Sequence, residues 1–239
     1  KAWAPPYVSQ TNTPPSAICP ATVRVGSACR TNRPCVSPPP SLPDRVALHA
    51  GPLTLTWEEG DLRTVKYRGR EVLRRVYVAI RDRNWGTVPN EITNLQISIA
   101  EDSFHISFDA ANRQGEIDFT WQGTVTGTPE GAVSYTISGQ ANRSFWKNRI
   151  GFCILHPGEI AGSNCRILHA DGSTENALLP RHIVPEQPLK PFDEMSGLAY
   201  EAAAGLWVQT AFTGDIFEME DQRNWTDASF KTFSTPLRI

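Results

Sequence analysis

At 239 residues, 40% hydrophobic and 20% charged, the chain has ordinary globular composition and is long enough for one large domain or two small ones. Lys and Arg number 23 against 25 Asp and Glu, so no basic excess exists to neutralise a phosphate backbone, and no nucleic-acid partner is expected. Mean hydropathy is −0.34 and no apolar run approaches the roughly 20 residues of a membrane helix, so no membrane partner is expected either.

Ten of the 19 prolines precede Asp44, and the first 43 residues hold no Asp or Glu. A segment so rich in Ser, Thr and Pro buries too little apolar surface to offset its ordering entropy. This predicts a disordered tail over 1–44 ahead of a folded domain over 45–239. The tail lacks the apolar core of a secretory signal. Its acid-poor composition suits a transit peptide, but its prolines oppose the amphipathic helix of one. A misplaced translation start or an expression artefact fits it equally well.

From Arg45 onward the apolar period is two. Leu53, Leu55 and Trp57 alternate with threonines, and Val76, Val78 and Ile80 share one face of a longer run. Leu95, Ile97 and Ile99 precede a turn at Glu101-Asp102-Ser103, and Phe104, Ile106 and Phe108 follow it. Ile117, Phe119, Trp121 and Val125 continue the alternation, and Pro129-Glu130-Gly131 turns the chain into Val133, Tyr135 and Ile137. Such alternation with frequent turns predicts half-buried strands of an all-β, large antiparallel β-sandwich.

The second half is less regular. Arg149 to Leu155 reads as a short strand stopped by His156-Pro157-Gly158, and the four prolines between Leu178 and Phe192 predict a long surface loop or an extended edge segment. Ala199 to Ala204 is the one candidate helical turn, ended by Gly205. Gly205 to Phe217 then reads as a strand pair or one long strand. Cys19, Cys29 and Cys35 fall in the tail and Cys153 and Cys165 in the body, at spacings that match no zinc pattern. Reduced thiols in a cytoplasmic protein are expected, with a Cys153–Cys165 bridge as the alternative.

The densest polar segment is Glu218 to Lys231. Asp221, Arg223, Asn224, Trp225, Asp227 and Lys231 offer the fixed donors, acceptors and aromatic face that hydroxyl-rich ligands require. A polar turn tied by internal ion pairs, Asp221 or Asp227 with Arg223 or Lys231, is the competing reading. Arg83 and Trp85, in Arg81-Asp82-Arg83-Asn84-Trp85-Gly86-Thr87, form a second candidate, and the two segments share Arg-Asn-Trp. His156, near Glu159, is a candidate general base, against the alternative of a His satisfied inside the fold. Glu218 is the other candidate base. Histidine spacing supports no metal site, no cofactor is expected, and no nucleophile elbow, phosphate loop or dinucleotide fingerprint occurs.

Three runs carry a resemblance: Arg81 to Pro89, Arg149 to Pro157, and Gly214 to Thr232. Together they resemble the N-terminal part of the D-apionate lactonase family. The Arg-x-Gly-Phe…His-Pro strand is also similar, at the level of fold, to the galactose-mutarotase-like supersandwich. The first resemblance implies a β-sandwich followed, in longer enzymes, by a glycosidase-like barrel and a further β domain. It implies the opening of a sugar-acid lactone in carbohydrate catabolism, a sugar acid or lactone as ligand, and a C-terminal barrel as partner. A non-catalytic carbohydrate-binding or domain-packing module, or a mutarotase-like epimerase, are the alternatives.

Overall fold

In the computed structural model, residues 44–235 are described; the tail expected over 1–44 lies, but for Asp44, outside the described residues. The alternating segments become fifteen strands. The first four are β1 (Arg45–Ala50), β2 (Leu53–Glu58), β3 (Asp61–Tyr67) and β4 (Arg70–Asp82). Then come β5 (Asn90–Ile99), β6 (Phe104–Gln114), β7 (Ile117–Gly127) and β8 (Val133–Ala141). The second half supplies β9 (Lys147–Pro157), β10 (Asn164–His169), β11 (Thr174–Leu178), β12 (Met195–Ala203), β13 (Leu206–Ala211), β14 (Ile216–Gln222) and β15 (Ser229–Thr235). Among the described residues no helix is long and apolar enough to cross a membrane.

Among the described residues every ladder is antiparallel, and two sheets form. The small sheet has the order β5-β6-β7-β8; the large one has eleven strands in the order β1-β2-β3-β4-β9-β15-β14-β12-β10-β11, with β13 paired to β12. Short hairpins build the first four strands and the small sheet. The meeting of β4 with β9, and of β9 with β15, joins segments distant in sequence.

The inner face of the large sheet packs on the small sheet. Leu62, Val72 and Ile80 join Phe104, Phe108, Trp121 and Val125 in one buried cluster. At its centre Phe108 meets Trp57, Trp121 and Tyr135 edge-on, at 6.1, 5.4 and 6.5 Å between centroids. Its ring lies over Gly123, where a Cβ would sit 2.4 Å from Cζ, so the strand-centre glycine makes room for the aromatic.

A second cluster fills the other half. β14 meets β12 at a single register position, Met195↔Phe217, so the ladder nearly breaks there. Ile167, Leu198 and Tyr200 pack with Ile154, Met219 and Phe230. The proline-bearing segment 179–194 lies on this cluster, with Leu179, Leu189 and Phe192 buried in it.

The helical turn expected at Ala199–Ala204 is a correction. These residues lie in β12 and its turn, paired to both β10 and β13. Alanine is the best helix former, but propensity yields to tertiary context, and two ladders plus the burial of Tyr200 override it. Gly205, at φ +75°, closes the β12–β13 hairpin instead of ending a helix.

Candidate functional site

Register assigns each candidate to a face. Along β9, β15 and β14 the rows His156–Phe230–Asp221 and Ile154–Thr232–Met219 point inward. The rows Leu155–Lys231–Glu220 and Cys153–Phe233–Glu218 point outward. Glu218 and Glu220 therefore share the outer face and Asp221 takes the other, as the period of two requires.

The turn between β14 and β15 is tied internally. Arg223 forks onto Asp221, Nε to Oδ1 at 2.8 Å and Nη2 to Oδ2 at 2.7 Å. The same carboxylate accepts the Val184 N–H at 3.2 Å, and Arg223 Nη1 donates to the Arg181 carbonyl at 3.1 Å, so this pair anchors the proline loop. Burial pushes the Asp221 carboxyl up, but the bonds from Arg223 and Val184 outweigh it and hold it below the usual range. Lys231 pairs with Asp227 at 2.8 Å. Both ion pairs of the competing reading thus exist. Trp225 stands 65% exposed at the tip, and Asn224 is exposed beside it.

The Arg81–Thr87 turn lies at the opposite end of the strands. Asp82 aligns with Lys147 at the start of β9, whereas Ser229 aligns with Pro157 at its end. Asp82 Oδ1 accepts the N–H groups of Asn84 and Gly86, each at 2.8 Å, and Arg81 Nη1 donates to the Trp85 carbonyl at 3.1 Å. These bonds hold Trp85 at φ +68°, unusual for a bulky side chain. Arg83 is exposed. The two Arg-Asn-Trp turns are therefore separate features at opposite ends of the sheet.

Arg149 organises the outer face near Trp85. Its Nη2 donates to Glu218 Oε1 at 2.6 Å and to Glu220 Oε1 at 3.4 Å, and its guanidinium lies 4.6 Å from the Phe233 ring centre and 5.5 Å from that of Trp85. A second ionic row crosses β1 to β4: Arg45 and Arg63 hold Glu58, while Arg63 and Arg75 hold Asp61. The hydrogen bond from Arg45 holds the Glu58 carboxyl below its ordinary value, whereas burial raises that of Asp61.

His156 is fully buried on the inner face. Its Nε2 lies 2.8 Å from Thr232 Oγ1 and its Nδ1 3.5 Å from the Tyr200 hydroxyl, which itself donates to the Val72 carbonyl. Burial pulls its pKa down to about 3, so the ring is neutral. Glu159, its neighbour in sequence, faces Arg74 instead, at 3.4 Å.

The structure thus brings together Asp221 with Arg223, Asp227 with Lys231, and Trp85 with Glu218 through Arg149. It separates His156 from Glu218, on opposite faces, and Arg83 and Trp85 from Trp225, at opposite ends. Cys153 and Cys165 are free thiols, and Cys165 Sγ donates to the Ala177 carbonyl at 3.1 Å. Among the described residues no group of three or more His, Cys, Asp or Glu is placed to hold a metal ion.

Sequence reading missed a cleft of about 930 Å³ over β3, β4 and β9, walled by β8 and β13. Tyr67, Phe152 and Trp207 offer aromatic surface there, with Ser134, Thr136 and Gln209 as polar groups. None of the ten candidates lines it. Its residues come from distant strands, each with an ordinary alternating pattern, so nothing local marks them.

Two comparisons bear on this arrangement. The family described as D-apionate lactonase, N-terminal domain, matches residues 37–239. A curated D-apionate lactonase of Brucella anthropi is 38% identical over 194 residues, which span 80% of this chain. The chain spans about a third of that relative, 31% of its length.

Proposed function

The chain belongs to the D-apionate lactonase family, matching its N-terminal domain, and from this we propose that it is the β-sandwich portion of a sugar-acid lactone hydrolase whose catalytic groups lie elsewhere in a longer polypeptide. One observation carries the reading: His156 and Glu218 face opposite sides of one sheet, and each is engaged within the fold. Lactone opening needs an activated water and oxyanion donors converging on one carbonyl. His156 is closed to water, Glu218 is held by Arg149, and Arg223 is spent on Asp221. In this reading these groups fix the strands, and a barrel-type remainder supplies the chemistry. The test joins this chain to the part of the Brucella anthropi lactonase beyond the matched region and follows opening of the lactone of D-apionate. Activity of the joined polypeptide but not of the chain alone is expected; equal turnover by the chain alone would overturn the reading.

A carbohydrate-binding role is the second reading, favoured by the cleft beside β13. Its aromatic faces and uncharged hydroxyl and amide groups suit a neutral ring better than a carboxylate. Calorimetric titration with the lactone and with D-apionate tests it: heat from the lactone lost in Trp207→Ala supports the role, and no heat from either ligand counts against it.

A further inference from the structure

Among the described residues five strands keep a free hydrogen-bonding edge: β1, β5, β8, β11 and β13. The nearly unpaired side of β14 is not one of them, because the proline segment covers it: Leu189 N–H donates to the Met219 carbonyl and Met219 N–H to that of Phe192, each at 2.8 Å. An open edge is a template for another strand, and edges that must stay single are guarded by charge, proline or a bulge. Arg45 guards β1, Glu175 guards β11, and β5 carries Glu91 and a register shift between Thr93 and Gln96. β8 and β13 hold no charged residue and no proline.

These two unguarded edges wall one cleft, of about 930 Å³. Gly205 to Thr213 line it without a gap, as do Glu130 to Thr136. Successive side chains of a strand point to opposite faces, so a cleft lined by every residue of a run meets the edge of the strand, not a face. The ladders tell which backbone groups are free there. Phe212 N–H donates to the Ser196 carbonyl, so in the alternating antiparallel pattern Thr210 and Val208 also turn to β12, while Trp207, Gln209 and Ala211 turn their N–H and C=O groups away from it. Thr128 N–H donates to the Ala132 carbonyl, which by the same alternation leaves Val133 and Tyr135 facing away from β7. The floor between the walls is apolar and only half-buried, with Leu53, Tyr67, Leu73, Val76 and Phe152. The β13 edge is open: Trp207 is 48% exposed, and Gln209 and Ala211 are exposed with it.

The chain covers 31% of the Brucella anthropi relative and matches an N-terminal domain, so the remainder of that relative follows on from β15. β15 ends with Thr235 opposite Ile216, and Phe217, the next residue of β14, lines the cleft. We propose that an extended segment of the following polypeptide enters the cleft as an added strand on β13. Its backbone pairs with Trp207, Gln209 and Ala211, and apolar side chains at every second position rest on the floor. The inference rests on the reading of the chain as an N-terminal portion, but its test does not depend on activity. A strand and a sugar ring exclude each other in the cleft, so the inference goes with the first functional reading and against the second.

The test is amide hydrogen exchange at Trp207, Gln209 and Ala211, measured in this chain alone and in the chain joined to the remainder of the Brucella anthropi lactonase. Fast exchange in the chain alone, slowed on the order of tenfold in the joined polypeptide, is expected. In the joined polypeptide Gln209→Pro removes one free-edge N–H without touching the β12 ladder, and restores fast exchange at Trp207 and Ala211. Ala211→Lys charges the edge without fixing a backbone angle, and restores it at Trp207 and Gln209. Slow exchange retained in either variant overturns the inference. So does equal exchange in the two polypeptides, even where the joined one opens the lactone. Slowed exchange without lactone opening upholds the added strand and counts against the proposed function. Exchange already slow in the chain alone overturns the inference, and sedimentation as a dimer then assigns the edge to a second copy.

Discussion

Arg223 and Asp221 are joined by both prongs of the guanidinium, on a carboxylate with no exposed surface. The same carboxylate holds the Val184 N–H, and the Asp221 N–H donates to Gln187 Oε1 at 2.9 Å. One side chain thus links the strand end to the proline loop. Asp221→Asn leaves the Arg223 charge uncompensated and destabilises the domain by about 3 kcal/mol. Urea unfolding measures the loss, and limited proteolysis shows faster cutting between Leu179 and Phe192. The Asp221 carboxyl lies below its ordinary value when folded. Its contribution is therefore present above the unfolded carboxyl pKa and is lost as pH falls through the lower folded one, below about pH 4.

The buried neutral ring of His156 gives a second pH dependence. Its ordinary pKa of 6.5 falls to about 3 in the fold, so between these values the unfolded chain binds the extra proton. Stability therefore rises with pH across this window, by up to about 1.4 kcal/mol per pH unit from this group. His156→Gln lowers stability at neutral pH and flattens the slope from 6.5 to 3. A variant with an unchanged slope would show that the ring takes up its proton while folded.

Gly123→Ala places a methyl group 2.4 Å from the Phe108 ring, which Trp57, Trp121 and Tyr135 box in. The ring has no free direction in which to move, so the variant costs about 1–3 kcal/mol. Thermal unfolding reads this as a lower midpoint. Gly115→Ala, in open space but at φ +58°, serves as a control for backbone strain alone.

Cys153 is fully buried, and burial pushes its thiol up to about 12. Cys165 is pushed up to about 11 for the same reason. Neither offers a thiolate near neutral pH. Peptide mapping after treatment with a thiol reagent therefore finds both unlabelled in native buffer and both labelled in denaturant. Rapid native labelling of Cys153 would mean that the outer face opens.

Local signals made most strands legible. Leu53, Leu55 and Trp57, or Phe104, Ile106 and Phe108, alternate because one sheet face is buried, and Gly60, Gly69 and Gly131 mark turns that need positive φ. The strand at Ala199–Ala203 was illegible because its pairing partners, not its alanines, decide its form. The polar turn at Asp221–Asp227 was visible as composition, and its ion pairs followed from short spacing. Arg149 as partner of Glu218 was not visible, since the contact spans 69 positions and depends on β15 lying between β9 and β14. The satisfied, buried state of His156 was legible from the apolar strand it ends, but its partners were not, since the hydroxyls of Tyr200 and Thr232 lie 44 and 76 positions away.

The central claim is that the chain shapes a lactone hydrolase without supplying its reacting groups. The most direct measurement is the opening of the lactone of D-apionate by the purified chain, against buffer alone. The account predicts the buffer rate, unchanged in Glu218→Gln. A rate above buffer that Glu218→Gln abolishes, in a variant that still unfolds cooperatively, would contradict it.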